Sequence, residues 1–334
     1  MKTLRGISRN DRQKLERRCR GGELHRLHPN TYIAMADWDQ MDQTERRRLH
    51  HLSSVDGRPG MVIVGRSAAL VHGLEVVDVI ESATSGMVPR WPVPPGEDVV
   101  ELAHPLRRRI ETRGNIHESR FRWDAGEVDL VDGRPVTSIG ATVADITHRH
   151  GFGQGLVAAD SALRQQHSAI DLMRPAALAP QSADALTTVA CASQFPDSAA
   201  ESLMRAQIIE AGLPAPEMQL RVFTGDRIYI GKVDLSYPGL LLMIEVHGKH
   251  KFSGRYGDGE ARSMYEWRRE TEMVQEGLAV LRVTYPQIVS GEALRMVIAA
   301  LERQRAAVAN GAESTALFVP AGVRWPEGYR LRER

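Results

Sequence analysis

The chain has 334 residues, of which 42% are hydrophobic and 25% charged, with 43 basic against 42 acidic side chains. That is enough chain for two packed cores, and the apolar share is too high for intrinsic disorder. No run approaches the roughly 18 apolar residues of a membrane span, and the start lacks the apolar stretch of a secretory signal. Cys19 and Cys191 stand alone and far apart, with neither zinc spacing nor a disulfide framework. That usage points to a reducing, cytoplasmic setting.

Charge is distributed unevenly. Residues 1–28 hold nine Lys/Arg against Asp11, Glu16 and Glu23. Asp11–Arg20 reads as a short helix capped by Ser8 or Asn10, and Gly21-Gly22 stops it. Residues 23–27 alternate, His28-Pro29-Asn30 turns the chain, and residues 31–33 alternate again. A basic helix, a glycine break and a small hairpin outline a winged helix-turn-helix over residues 1–75. Arg9, Arg12, Lys14, Arg17, Arg18 and Arg26 are its candidate DNA contacts.

Residues 43–75 read as helix, ending at His72-Gly73. Residues 76–135 read as short strands, with Pro89, Pro92, Pro94 and Pro95 marking a loop. Helix returns over residues 136–167, where His148 and His150 would favour a helix C-terminus. The span 76–172 is therefore a small α/β middle region, and 173–197, rich in Ala, Ser and Pro, reads as part helix and part linker.

The pattern changes at Ser198. A helix over 198–211 precedes strands at 219–223, 228–237 and 240–247. A helix over 260–276 follows, with Met264, Trp267 and Val274 inward, then a strand at 278–284 and a helix at 292–305. The expected fold class is α+β: a mixed sheet flanked by helices at 198–305, with 306–334 as a tail.

Pro238-Gly239 is a natural two-residue turn. In that register Asp234 faces Met243 and stands diagonal to Glu245 on one face of the hairpin. Two such carboxylates can grip one hard cation, Mg²⁺ or Mn²⁺. His247 continues the face, and Lys249 does too if the strand runs that far. Carboxylates, a cation-activated water and a positive group near the phosphate are the parts of metal-assisted phosphodiester hydrolysis. Glu201, on the preceding helix, is a third acid within reach. Bland readings stand beside these. Ser198-x-x-Glu201 is a capping box. Lys232 opposite Glu245 makes an ordinary surface ion pair. Arg268-Arg269 is either a phosphate clamp or the wet face of an amphipathic helix. His247 and His250 lack the third ligand that zinc needs.

Several motifs occur in order between residues 195 and 305: Ser198-Ala199-Ala200-Glu201-Ser202, Glu210-Ala211-Gly212-Leu213-Pro214, Val233-Asp234-Leu235, Ile244-Glu245-Val246-His247-Gly248, Arg268-Arg269-Glu270 and Val280-Leu281-Arg282-Val283-Thr284. Together they resemble the endonuclease-like domain related to very-short-patch-repair nucleases, in the PD-(D/E)XK superfamily. The resemblance implies a restriction-endonuclease-like fold and Mg²⁺-dependent DNA cleavage, with Glu201, Asp234 and Glu245 as the acidic set. Relatives carry Asp or Tyr, or Lys in the wider superfamily, where this chain has His247, and Asp where it has Glu270.

Gly21–Tyr32, the run Arg66–Leu74, Val131–Ser138 and Leu156–Leu163 resemble a second group, actinobacterial proteins with an AbiEi-type antitoxin winged helix. That resemblance implies operator DNA as a ligand and a toxin or defence-system partner, with an oligomer open to it. Three functions follow as expectations, the last of them a toxin-linked interaction module in which residues 76–165 contact a partner. The first is a DNA endonuclease in which Asp234 and Glu245 hold the metal, Glu201 or His247 handles the water and Lys249 steadies the phosphate. The second is a DNA-binding regulator whose nuclease-like domain is degenerate.

Overall fold

The computed structural model describes residues 3–77, 98–106, 111–120, 123–179, 182–247 and 259–331. Lys249, His250 and the proline-rich loop at 89–95 lie outside them. Contacts divide the described residues into two units, one of 3–76 and 98–192, the other of 77 and 193–331. Among the described residues, no helix is long and apolar enough to cross a membrane.

The first unit opens with β1 (Leu4–Arg5) and α1 (Arg9–Arg20). Ser8 caps α1 and Asp11 returns the bond to the Ser8 amide, which satisfies two of the donors a helix start leaves open. No α1 residue is buried. β2 (Leu24–His28) and β3 (Thr31–Ala34) form the expected hairpin, and β1 joins β3 to make a three-stranded sheet. α2 (Met35–Gln40) and α3 (Gln43–Leu52) follow. Leu27, Ile33, Met41 and Leu49 close a small core beneath them.

The reading of 43–75 as helix is corrected. A 3₁₀ turn and β4 (Val62–Ile63) interrupt it before α4 (Gly65–His72), which Gly73 ends in the left-handed region. Val62 and Ile63 are β-branched and wholly within the sheet, where tertiary pairing overrides helical spacing. β5 (Val100–His104), β6 (Glu111–Arg113), β7 (Ile116–Arg120), β8 (Val128–Val131) and β9 (Arg134–Thr137) complete a six-stranded mixed sheet of order β6-β7-β5-β4-β9-β8. α5 (Ile139–His150), α6 (Phe152–Arg164), α7 (Ala169–Leu178) and α8 (Ser182–Cys191) build an alanine-rich helical layer. The segment 173–197 is thus no simple linker. Ala176, Ala185 and Val189, on α7 and α8, are buried in that layer.

The second unit begins with α9 (Ala199–Glu210), then β10 (Glu217–Phe223), β11 (Tyr229–Tyr237) and β12 (Leu242–His247). α10 (Gly259–Gln275) leads to β13 (Ala279–Thr284), α11 (Tyr285–Val289), α12 (Glu292–Ala309) and β14 (Leu317–Val319). The sheet order is β13-β12-β11-β10-β14, with β12 and β13 parallel and the other neighbours antiparallel. An α+β fold with a mixed, helix-flanked sheet is what the sequence order required. Two readings are corrected here. Residues 317–319 are not tail but an edge strand paired with β10. Trp267 and Val274 are exposed at 67% and 56%, while Met273 holds the inward position.

Candidate functional site

The acidic centre depends on the turn between β11 and β12. A 3₁₀ turn over Pro238–Leu240 and a left-handed Leu241 make a longer connection than the expected two residues. A type II turn fits the twist of a hairpin poorly, and the longer loop removes the conflict. The register changes as a result: Tyr237 pairs with Leu242, Ser236 with Met243 and Leu235 with Ile244. Continuing it brings Asp234 level with Glu245 rather than diagonal to it. Residues directly opposite share a face. The expected pairing of Asp234 with Met243 does not hold, because Met243 pairs with Ser236.

Asp234 Oδ2 accepts from the Val246 amide at 2.8 Å. Its Oδ1 lies 3.5 Å from Gln219 Nε2, and the same amide nitrogen donates to Glu201 Oε2 at 2.6 Å. One side-chain amide thus joins an acid on α9 to an acid on β11. Gln219 is 4% exposed and holds φ +51°, left-handed backbone inside a strand. Strain of that kind costs on the order of 1–3 kcal/mol and gathers where a side chain must be aimed. Gln219 is not among the sequence-derived candidates, and residue type does not single it out in a strand that also carries Glu217 and Arg221.

Glu201 sits at the start of α9, where it takes part in the cap without closing the reciprocal box. The Ser198 hydroxyl caps α9 and also donates to Glu201 Oε1 at 2.7 Å. Its Oε2 accepts from the Asp197 amide at 2.8 Å, one residue earlier than a capping box requires. The carboxyl is buried, and burial together with the neighbouring Asp234 charge pushes it up to about 7. It is therefore poised to carry a proton near neutral pH.

Glu245 is buried, and Arg269 Nη2 donates to its Oε2 at 2.6 Å. Lys232 is not its partner, because Lys232 Nζ pairs with Asp197 Oδ2 at 2.5 Å. Arg269, half of the pair expected as a DNA phosphate clamp or a wet helix face, is bonded to this buried acid. Arg268 pairs with Glu272 one turn along α10 at 3.1 Å. His247 ends β12, partly buried.

The predicted DNA contacts of the first unit lie elsewhere in the chain. Arg9, Arg12, Lys14, Arg17 and Arg26 are exposed, and Arg18 pairs with Glu23 at 2.8 Å. His150 is no mere helix-end residue, since its Nε2 meets Glu101 Oε1 at 2.7 Å.

Among the described residues, no three His, Cys, Asp or Glu side chains form a ready-made metal group. The donor set still suits a hard cation. Mg²⁺ is held by one or two carboxylates plus water and phosphate oxygens, and Asp234 and Glu245 supply two.

No family model matches the chain, and no curated protein does. Among solved structures it is similar to the RV2827C protein from Mycobacterium tuberculosis, at 16% identity and a TM-score of 0.33. The match covers 65% of this chain and 78% of that one. A likeness at that score decides neither fold nor function.

Proposed function

We propose that this protein is a divalent-cation-dependent DNA endonuclease whose basic N-terminal helix and hairpin engage DNA. The observation that carries this reading is the gathering of Glu201, Asp234 and Glu245, from a helix and two strands, around one face of the β11–β12 ribbon. Asp234 and Glu245 would hold Mg²⁺ or Mn²⁺, which supplies charge neutralisation at a phosphodiester and a more acidic water. The chain's own groups do the rest. Gln219 orients Glu201 and Asp234 toward each other. Glu201, near 7, holds or takes the proton of the attacking water. His247 at the end of β12 is a second proton carrier, and Lys249 a phosphate contact. The exposed arginines of α1 bind the DNA backbone.

Incubation with supercoiled plasmid and Mg²⁺ tests the reading. The parent converts the plasmid to nicked or linear form. Asp234→Ala and Glu245→Ala lose at least about a hundredfold in rate and keep their affinity for DNA in EDTA. Variants that cut as fast as the parent overturn the assignment.

A second reading has its own support. Arg269 already neutralises Glu245, and His247 stands where the wider superfamily carries Lys. A non-catalytic DNA-binding regulator of the antitoxin kind, acting with a toxin or defence-system partner, fits both features. Calorimetry separates the two: Mg²⁺ binding that Asp234→Ala abolishes supports the enzyme, and no binding supports the regulator.

A further inference from the structure

The two neighbouring arginines of α10 are held very differently. Arg268 is 61% exposed and makes an i,i+4 pair. Arg269 is 17% exposed and is held from two sides: Nη2 donates to Glu245 Oε2 at 2.6 Å, and Nη1 to the Lys232 carbonyl at 2.9 Å. Beneath its stem lies Gly231 on β11. A methyl group at Gly231 would stand 2.5 Å from Arg269 Cδ and 3.1 Å from Cγ. The strand therefore omits one side chain where the arginine stem passes. Asp234 is also within electrostatic reach of the guanidinium.

A surface ion pair needs no such cradle. A buried carboxylate does need a positive partner, because leaving it alone in a low-dielectric setting is costly. Arg269 supplies one such charge to Glu245, and a divalent ion from solution would supply another. Both charges beside the same oxygens would repel each other strongly.

We propose that Arg269 is the internal counter-ion of Glu245, holding the acidic centre while no divalent ion is bound, and that a divalent ion binds by displacing it. The inference rests on the reading of Asp234 and Glu245 as cation ligands. Arg269 is then a positioning residue that keeps Glu245 aimed into the centre and lowers its affinity for metal. Gly231 is the feature of the fold that makes the exchange reversible, since it lets the stem return.

The test is Mn²⁺ binding to the full chain without DNA, followed by electron paramagnetic resonance. Arg269→Met keeps the stem and removes the charge, and it should bind Mn²⁺ about tenfold tighter than the parent. Arg269→Lys restores a positive charge and should fall back toward the parent. Gly231→Ala pushes the stem aside without changing any charge and should tighten binding in the same direction. It keeps the test decisive if circular dichroism shows Arg269→Met unfolded. Glu245→Gln should lose the binding. A folded Arg269→Met or Gly231→Ala that binds Mn²⁺ no tighter than a parent that does bind it overturns this inference alone. Absence of Mn²⁺ binding in the parent and in every variant overturns the cation reading, and this inference with it.

Discussion

Glu101 in the first unit and Glu201 in the second meet burial in opposite ways. Several acids of the first unit are paired with a base. Glu101 meets His150 at 2.7 Å, Asp145 meets Arg149 at 2.7 Å, Asp56 meets Arg134 at 2.8 Å and Asp98 meets Arg47 at 2.6 Å. Burial alone would raise Glu101, but His150, Arg149 and Arg66 override it and bring the carboxyl down to about 2. In the second unit Glu201 sits beside another acid, and burial with the Asp234 charge lifts it to about 7. Paired charges fasten elements together. Like charges held together against their repulsion are what a binding or catalytic centre needs.

Breaking a pair in the first unit should have the largest effect on stability. Glu101→Gln removes the partner of His150 and weakens the acceptor of the Arg66 amide. The loss should be about 3 kcal/mol in urea unfolding. A change under 1 kcal/mol would mean these pairs do not hold the unit.

The pH dependence sharpens the contrast, because its sign differs between the units. Burial, with His28 and His51 nearby, pushes His50 down to about 3, so it stays neutral in the fold. An unfolded imidazole takes its proton below about 6.5, so the first unit loses stability as pH falls from there toward 3. Glu101 acts in the same direction, its contribution fading as pH falls from 4.5 toward 2. Glu201 acts the other way. The folded state holds its proton up to about 7 while the unfolded chain releases it near 4.5, so the second unit loses stability as pH rises across that window. Thermal melts at a series of pH values should show the two units moving in opposite directions. Glu201→Gln should flatten the second unit's slope between pH 4.5 and 7 and leave the first unit's unchanged.

The smallest effect concerns α1, which buries no residue and is free of the constraints on either core. Arg12→Ala should leave the melting temperature within about 1 °C of the parent, as exposed substitutions do. It should also reduce the salt dependence of DNA binding by about 0.9 in log–log slope, the share of one phosphate contact. An unchanged slope would remove Arg12 from the interface.

Local signals made α1 and its hairpin readable. Ser8, Asp11, the Gly21-Gly22 break and the turn at Asn30, φ +65°, are all short-range chemistry. The order of elements from α9 to α12 was readable too, apart from the five-residue α11, because strand and helix periods alternate cleanly there. β4 was not, since two residues are too few to show a period of their own beside helical neighbours. β14 was missed for a related reason: its strand character comes from β10, about a hundred positions away.

The sequence by itself determined the α+β class, the basic character of the N-terminal helix and the choice of Glu201, Asp234 and Glu245 as the acids to watch. Those follow from residue type and spacing, which act over a few positions. Only the tertiary structure decided who stands beside whom: Gln219 between Glu201 and Asp234, and Arg269 on Glu245 rather than on the surface. A loop two residues longer than expected and a helix arriving from beyond the sheet set those neighbours, and no local pattern encodes either.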